Sequence, residues 1–136
     1  MLTLDASAAL SLVMKVQVAK DKWEKLATLV EEADCIIAPD LFVVETSNVF
    51  WKYHRFEKLP FDRATQFRSD CLSLVNKIVD CSALIDEAFH LACQAKHSVY
   101  DACYLICARR FSAPLVTFDK KLVKIADSFG VPHMEL

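Results

Sequence analysis

The chain has 136 residues, 54% of them hydrophobic, and a formal net charge of −2. That length supports one core and leaves no room for a second, so a single domain over residues 1–136 is expected, and the apolar share excludes a disordered chain. The weakly acidic balance excludes nucleic-acid binding through the global field, so any such contact has to come from local basic patches.

Leu2-Thr3-Leu4 opens the chain as a short strand, and Asp5 follows it directly. Ala6 to Met14 reads as a helix, and Lys20 to Ala33 as a second, with Trp23, Leu26, Leu29 and Val30 on one face. Cys35 to Ala38 (CIIA) is too short for a helix and reads as a strand. A helix over Leu41–Phe56 breaks before Pro60, and Phe61 to Asn76 forms the next. Ile78 to Cys81 (IVDC) is the third strand candidate. Leu84, Ile85, Ala88, Leu91, Ala92 and Ala95 make the stripe of an amphipathic helix. Val99 to Arg110 is nearly all apolar, which predicts a helix buried all round. Pro114 to Phe118 (PLVTF) is the fourth strand. Lys120 to Phe129 is a helix ending at Gly130, the only glycine, which suits a left-handed cap. Gly130 to Met134 (GVPHM) is read as a fifth strand centred on Val131. Strands alternating with helices imply a parallel sheet covered on both faces, with ligands at the carboxyl ends of its strands.

The six cysteines, Cys35, Cys71, Cys81, Cys93, Cys103 and Cys107, include no CxxC pair and lie mostly in apolar or helical stretches. Buried free thiols are expected, in a reducing cytoplasm, and no secretory signal is read at the start. No apolar run reaches the ~18–20 residues that a bilayer span needs, so no membrane association is expected.

Four carboxylates fall on one edge of such a sheet if the first and fourth strands are neighbours. Asp5 follows the first strand and Asp119 the PLVTF strand. Glu45 lies one turn into the helix after the second strand, and Asp101 is in the first turn of the buried helix. Each also has an ordinary explanation. Asp5 and Asp119 suit helix caps, Ser98-Val99-Tyr100-Asp101 resembles a capping box with Asp in place of Glu, and Glu45 suits a solvated helix face. Jointly the ordinary explanations weaken, because gathered carboxylates repel one another unless a cation neutralises them. The ligands are oxygen only, with no His or Cys at zinc-like spacing, which points to Mg2+ or Mn2+. A metal site beside phosphate-holding helix N-termini implies phosphodiester hydrolysis by an activated water.

The segments LDASAAL, PDLFVVETSNVF, SVYDACYLICA and LVTFDKKL, followed by GVP, stand in an order and spacing that resemble the PIN-domain family, and within it the VapC-like toxins of toxin–antitoxin pairs. The resemblance spans essentially the whole chain. It implies a three-layer α/β/α fold with a five-stranded parallel sheet and adjacent first and fourth strands. It also implies that Asp5, Glu45, Asp101 and Asp119 form the catalytic metal site of an endoribonuclease. Thr117 matches the hydroxyl of the family's T-x-D motif, and Ser7 and Asn48 stand as supporting groups. His97 is read as exposed and not catalytic. The implied partners are an RNA substrate, a small antitoxin protein and a second copy in a homodimer.

Outside the acids, Phe50-Trp51-Lys52-Tyr53-His54-Arg55-Phe56 suits either a partner surface or an amphipathic helix end. Lys120-Lys121 and Arg109-Arg110 are candidates for RNA phosphates, the lysines better because they adjoin Asp119. A receiver-type signalling domain would need a Lys closing a late strand, and none follows PLVTF. A haloacid-dehalogenase-type phosphatase would need a second Asp where Ser7 stands. A catalytically silent PIN scaffold that binds RNA or protein partners is the remaining alternative; none of the four acidic positions is lost.

Overall fold

The computed structural model describes residues 1–136. In chain order the elements are β1 (Leu2–Leu4), α1 (Ala6–Met14), α2 (Lys20–Glu32), β2 (Ile36–Pro39), α3 (Leu41–Phe56), α4 (Phe61–Ser73), β3 (Lys77–Val79), α5 (Ile85–Ala95), α6 (Val99–Arg110), β4 (Leu115–Val116) and α7 (Lys120–Ser128), with a 3-10 turn at Cys81–Ala83. The strands form one sheet in the order β3-β2-β1-β4. All its pairings are parallel, with Thr3 opposite both Ile37 and Leu115.

This order decides where the helices go. Crossovers between parallel strands are right-handed. The chain steps from β1 to β2 to β3 in one direction, so α1 to α4 pack on one face. It then crosses back from β3 to β4, which puts α5 and α6 on the other. The reversal falls between β1 and β4, where Asp5 and Asp119 leave the sheet. An open α/β sheet of this kind has its crevice at that point.

The expected fifth strand is not formed. Residues 131–134 add only a single parallel bridge, Leu115 to His133. It is held by Leu115 N–H to the Pro132 carbonyl and Met134 N–H to the Leu115 carbonyl, both at 2.9 Å. β4 is only two residues long and Pro132 has no N–H, so the ladder cannot extend. The pairing centre is His133, not Val131. Gly130, at φ +66°, closes α7 as anticipated: its N–H reaches the Asp127 carbonyl, and Val131 N–H reaches that of Ala126 at 2.8 Å.

Other boundaries moved for local reasons. α4 stops at Ser73 because Asn76 belongs to the sheet: its side-chain oxygen accepts from Ile36 N–H at 2.7 Å and its own N–H donates to the Ile36 carbonyl at 2.8 Å. β3 starts at Lys77 and ends at Val79, since the Asp80 carboxylate caps the 3-10 turn through Ser82 N–H at 2.9 Å. In α6 every residue from Ala102 to Ala108 is buried, as its unbroken apolar run demands. In α5 the stripe holds at Ala88, Leu91 and Ala92, while Ile85 is exposed. All six cysteines are free; Cys71, Cys103 and Cys107 are buried, but Cys93 is exposed. Burial pushes the Cys71 and Cys81 thiols up to about 12, so they stay protonated. No helix is long and apolar enough to cross a membrane.

Candidate active site

Asp5 sits where β1 ends and α1 begins. Its backbone is extended, and its Oδ1 accepts from Ala8 N–H at 2.9 Å and from the Ser7 hydroxyl at 2.8 Å. It is therefore a helix cap, but the cap uses only one oxygen. Oδ2 accepts from the Thr117 hydroxyl, which comes from the segment after β4. Both Asp5 and Thr117 are buried. Burial, opposed by these hydrogen bonds and aided by the Glu45 charge, raises the Asp5 carboxyl from 3.8 to about 6.

Glu45, one turn into α3, reaches across to α6, where the Tyr104 hydroxyl donates to its Oε1 at 2.7 Å. Burial raises the Glu45 carboxyl above its usual range; the Tyr104 bond opposes this and the Asp101 charge adds to it. Burial, then Glu45, with Asp5 and Asp101 contributing, holds the Tyr104 hydroxyl far above the ordinary phenol range. Tyr104 is thus a fixed donor at any working pH, and Asp5, Glu45 and Asp101 share one electrostatic neighbourhood.

Asp101 is only half of a capping box. Its N–H donates to the Ser98 hydroxyl oxygen at 3.2 Å, but its carboxylate turns away and meets His97 Nε2 at 2.6 Å. His97 is therefore not the free surface residue expected; it is half-buried and bound to one of the acids. Tyr104 and His97 are what sequence reasoning missed. Both lie within one turn of Asp101, the spacing that puts side chains on one helix face. A tyrosine inside an apolar helix also signals a hydroxyl that needs a buried partner.

Asp119 stands on the same edge but is turned to its own helix. Its Oδ1 accepts from Lys121 N–H at 2.9 Å and Leu122 N–H at 3.3 Å. Its link to Asp5 runs through Thr117, whose hydroxyl oxygen accepts from Asp119 N–H at 3.0 Å while donating to Asp5. Ser7 and Thr117 thus both donate to Asp5. Asn48 does not: it is exposed and bonds to none of the acids, because it lies on the outer side of α3. Lys120 and Lys121 are exposed and in no ion pair. Arg109 and Arg110 are consumed by Glu87, and Arg110 also by the Ala83 carbonyl, so they are ordinary structural charges. The aromatic–basic stretch divides: Phe50 is core, whereas Trp51 and Phe56 are exposed and pack edge to face at 5.8 Å.

Asp5, Glu45 and Asp119 have no cationic partner, and Asp101 has only His97. As placed, no three His, Cys, Asp or Glu side chains close on a common point. The donor set still fits a hard cation. Glu45 Oε2, Asp101 Oδ1 and Asp119 Oδ2 are each left without a hydrogen-bond partner beside a buried carboxylate that lacks a countercharge.

Comparison with known proteins places the chain's sequence and fold. The chain is 28% identical over 125 residues to Ribonuclease VapC3 of Pyrobaculum aerophilum, covering 90% of this chain and 92% of that protein. The crystal structure of PAE2754 from Pyrobaculum aerophilum superposes with a TM-score of 0.69 at 25% identity, over 90% of this chain and 77% of that one. Mycobacterium tuberculosis VapC20, a sarcin-ricin loop cleaving toxin, shares the fold over 100% of both chains, with a TM-score of 0.71 at 14% identity. The PIN domain model matches residues 2–128, and the chain belongs to the PIN domain family.

Proposed function

We propose that this chain is a metal-dependent endoribonuclease, the toxin of a type II toxin–antitoxin pair, acting as one PIN domain over residues 1–136. The observation that carries the reading is the buried Asp5 carboxylate and the half-buried Glu45 carboxylate, neither with a cation partner, coupled by charge to each other and to Asp101 near the point where the sheet order reverses. Similarity to Ribonuclease VapC3 supports the choice of RNA as substrate. Asp5, Glu45, Asp101 and Asp119 would hold Mg2+ or Mn2+. Such an ion, when bound, supplies a water of lowered pKa and polarises the phosphoryl oxygen.

The chain's own residues do the rest. Ser7 and Thr117 fix the Asp5 carboxylate by both oxygens, so its orientation does not depend on substrate. Tyr104 holds Glu45 and His97 holds Asp101, each through one oxygen, leaving the other without a hydrogen-bond partner. Lys120 and Lys121, at the start of α7, supply positive charge to RNA phosphates. A small antitoxin protein and a second copy of the chain are the partners proposed, in the cytoplasm, with the exposed Trp51 and Phe56 as apolar contact surface.

The competing reading, a silent PIN scaffold that binds RNA or protein, draws on the acids' failure to close on one point. Induced expression separates the two. Wild type should slow bacterial growth and produce new RNA ends by sequencing, and Asp5→Asn at equal protein level should do neither. Equal growth and identical RNA ends for the two would favour the scaffold.

A further inference from the structure

A cavity of about 440 Å³ opens between α2, α7 and the C-terminal segment. Thr117, whose hydroxyl donates to Asp5, is one of its lining residues, so one side chain separates the cavity from the acidic site. Lys22 rims it from α2, and Lys120 and Lys124 from α7. The two α7 lysines are four apart and share a helix face. All three are exposed, and none is in an ion pair. Of the lining acidic side chains, Asp127 is occupied by His133 at 2.6 Å, which leaves Glu135 as the only unengaged acidic side chain beside three ammonium groups. Phe118 and Met134 contribute an apolar wall. His133 also lines the cavity, and its Nδ1 is buried with no hydrogen-bond partner. In the neutral ring with Nε2–H donating to Asp127, Nδ1 is an acceptor without a donor.

We propose that this cavity is a nucleotide subsite for single-stranded RNA. It would take the residue next to the scissile bond, with its phosphate among Lys22, Lys120 and Lys124 and its base against Phe118 and Met134. The proposal rests on the ribonuclease reading for the identity of its strand. Lysines recognise the phosphate, an apolar wall suits a base face, and a ribose hydroxyl or base amino group meets His133 Nδ1. The volume lies within the ~300–1,000 Å³ usual for small-ligand sites. Lys121 is not on the rim, so of the paired lysines Lys120 is the one that serves this subsite.

The test uses the full chain and two probes, adenosine 5′-monophosphate and inorganic phosphate, followed by NMR at the His133 ring and the Met134 methyl. The nucleotide should shift both signals saturably, and inorganic phosphate should leave Met134 unmoved. The double variant Lys22→Gln/Lys124→Gln, altered only at exposed positions, should bind the nucleotide at least tenfold more weakly. Its affinity for a single-stranded RNA should show a salt slope smaller by about 0.7, the loss of one single-strand phosphate contact. Unmoved His133 and Met134 signals, or a variant that binds nucleotide as wild type does, would overturn the subsite. Cleavage of mixed RNA is read separately. A chain that takes the nucleotide but cuts no RNA keeps the subsite and loses the ribonuclease reading. One that cuts RNA but shows no nucleotide shift does the reverse.

Discussion

Asp5→Asn should make the metal-free protein more stable at neutral pH, because Asp5 is held against its own ionisation. Its folded carboxyl titrates at about 6 against 3.8 for the free side chain. A raised folded pKa means that the native state binds a proton the unfolded chain releases. The penalty is therefore full above about 6 and disappears as pH falls from 6 toward 4. Two units of difference correspond to about 3 kcal/mol. Asparagine keeps the cap, since its oxygen still accepts from Ala8 N–H. Its amide can face the Thr117 oxygen, so the fold should survive. The assay is urea denaturation in chelator from pH 4 to 8, for wild type and Asp5→Asn. Other carboxylates titrate in the same range, so the readout is the difference between the two proteins. That difference should favour the variant by up to ~3 kcal/mol at pH 7.5 and shrink toward zero near pH 4. A difference that is flat with pH, or that favours wild type at neutral pH, would refute the electrostatic account and leave Asp5 as a cap.

Added Mn2+ should reverse that order: wild type should gain about 4.1 kcal/mol at a thousandfold excess over Kd, and Asp5→Asn little, by thermal melts. Tyr104→Phe removes the donor that opposes the rise of the Glu45 carboxyl. It should cost about 1 kcal/mol of stability and move the acidic limb of the cleavage pH profile upward; an unmoved limb would detach Tyr104 from the chemistry. His97→Ala should weaken metal affinity ~10–100-fold by releasing Asp101, checked by Mn2+ titration, with unchanged affinity assigning His97 to packing alone. Gly130→Ala should cost about 1 kcal/mol by denaturation, because φ is +66°; nothing lies within 4 Å of the added methyl, so a much larger loss would point to a contact not seen there.

Much of this was legible in the sequence because its signals are local. Short apolar runs located the four strands and helical patterns the helices, with α3 and α6 matched end to end. The family resemblance implied β1 beside β4, as the sheet has it. What failed depended on partners distant in the chain. The fifth strand reads well as GVPHM, but β4 offers it a single pairing residue. Asn76 looks like a helix end until Ile36 takes its side chain. In the site, Asp5 and Asp119 are caps as well as acids, so motif and local geometry alone do not separate the roles. Their separation comes from Thr117, 112 residues from Asp5, whose bond uses the oxygen that capping leaves over. Asn48 shared a nominal helix face with Glu45, yet the packing of α3 turned it to solvent.

The most direct test of the central claim is cleavage of a mixed-sequence RNA by the purified chain, with Mg2+ or Mn2+ and with chelator, beside Asp101→Asn. The account predicts cleavage by wild type only with metal, and a loss of at least ~100-fold in the variant, which keeps its Ser98 cap but surrenders a carboxylate. Equal cleavage with and without chelator, or undiminished cleavage by Asp101→Asn, would contradict it.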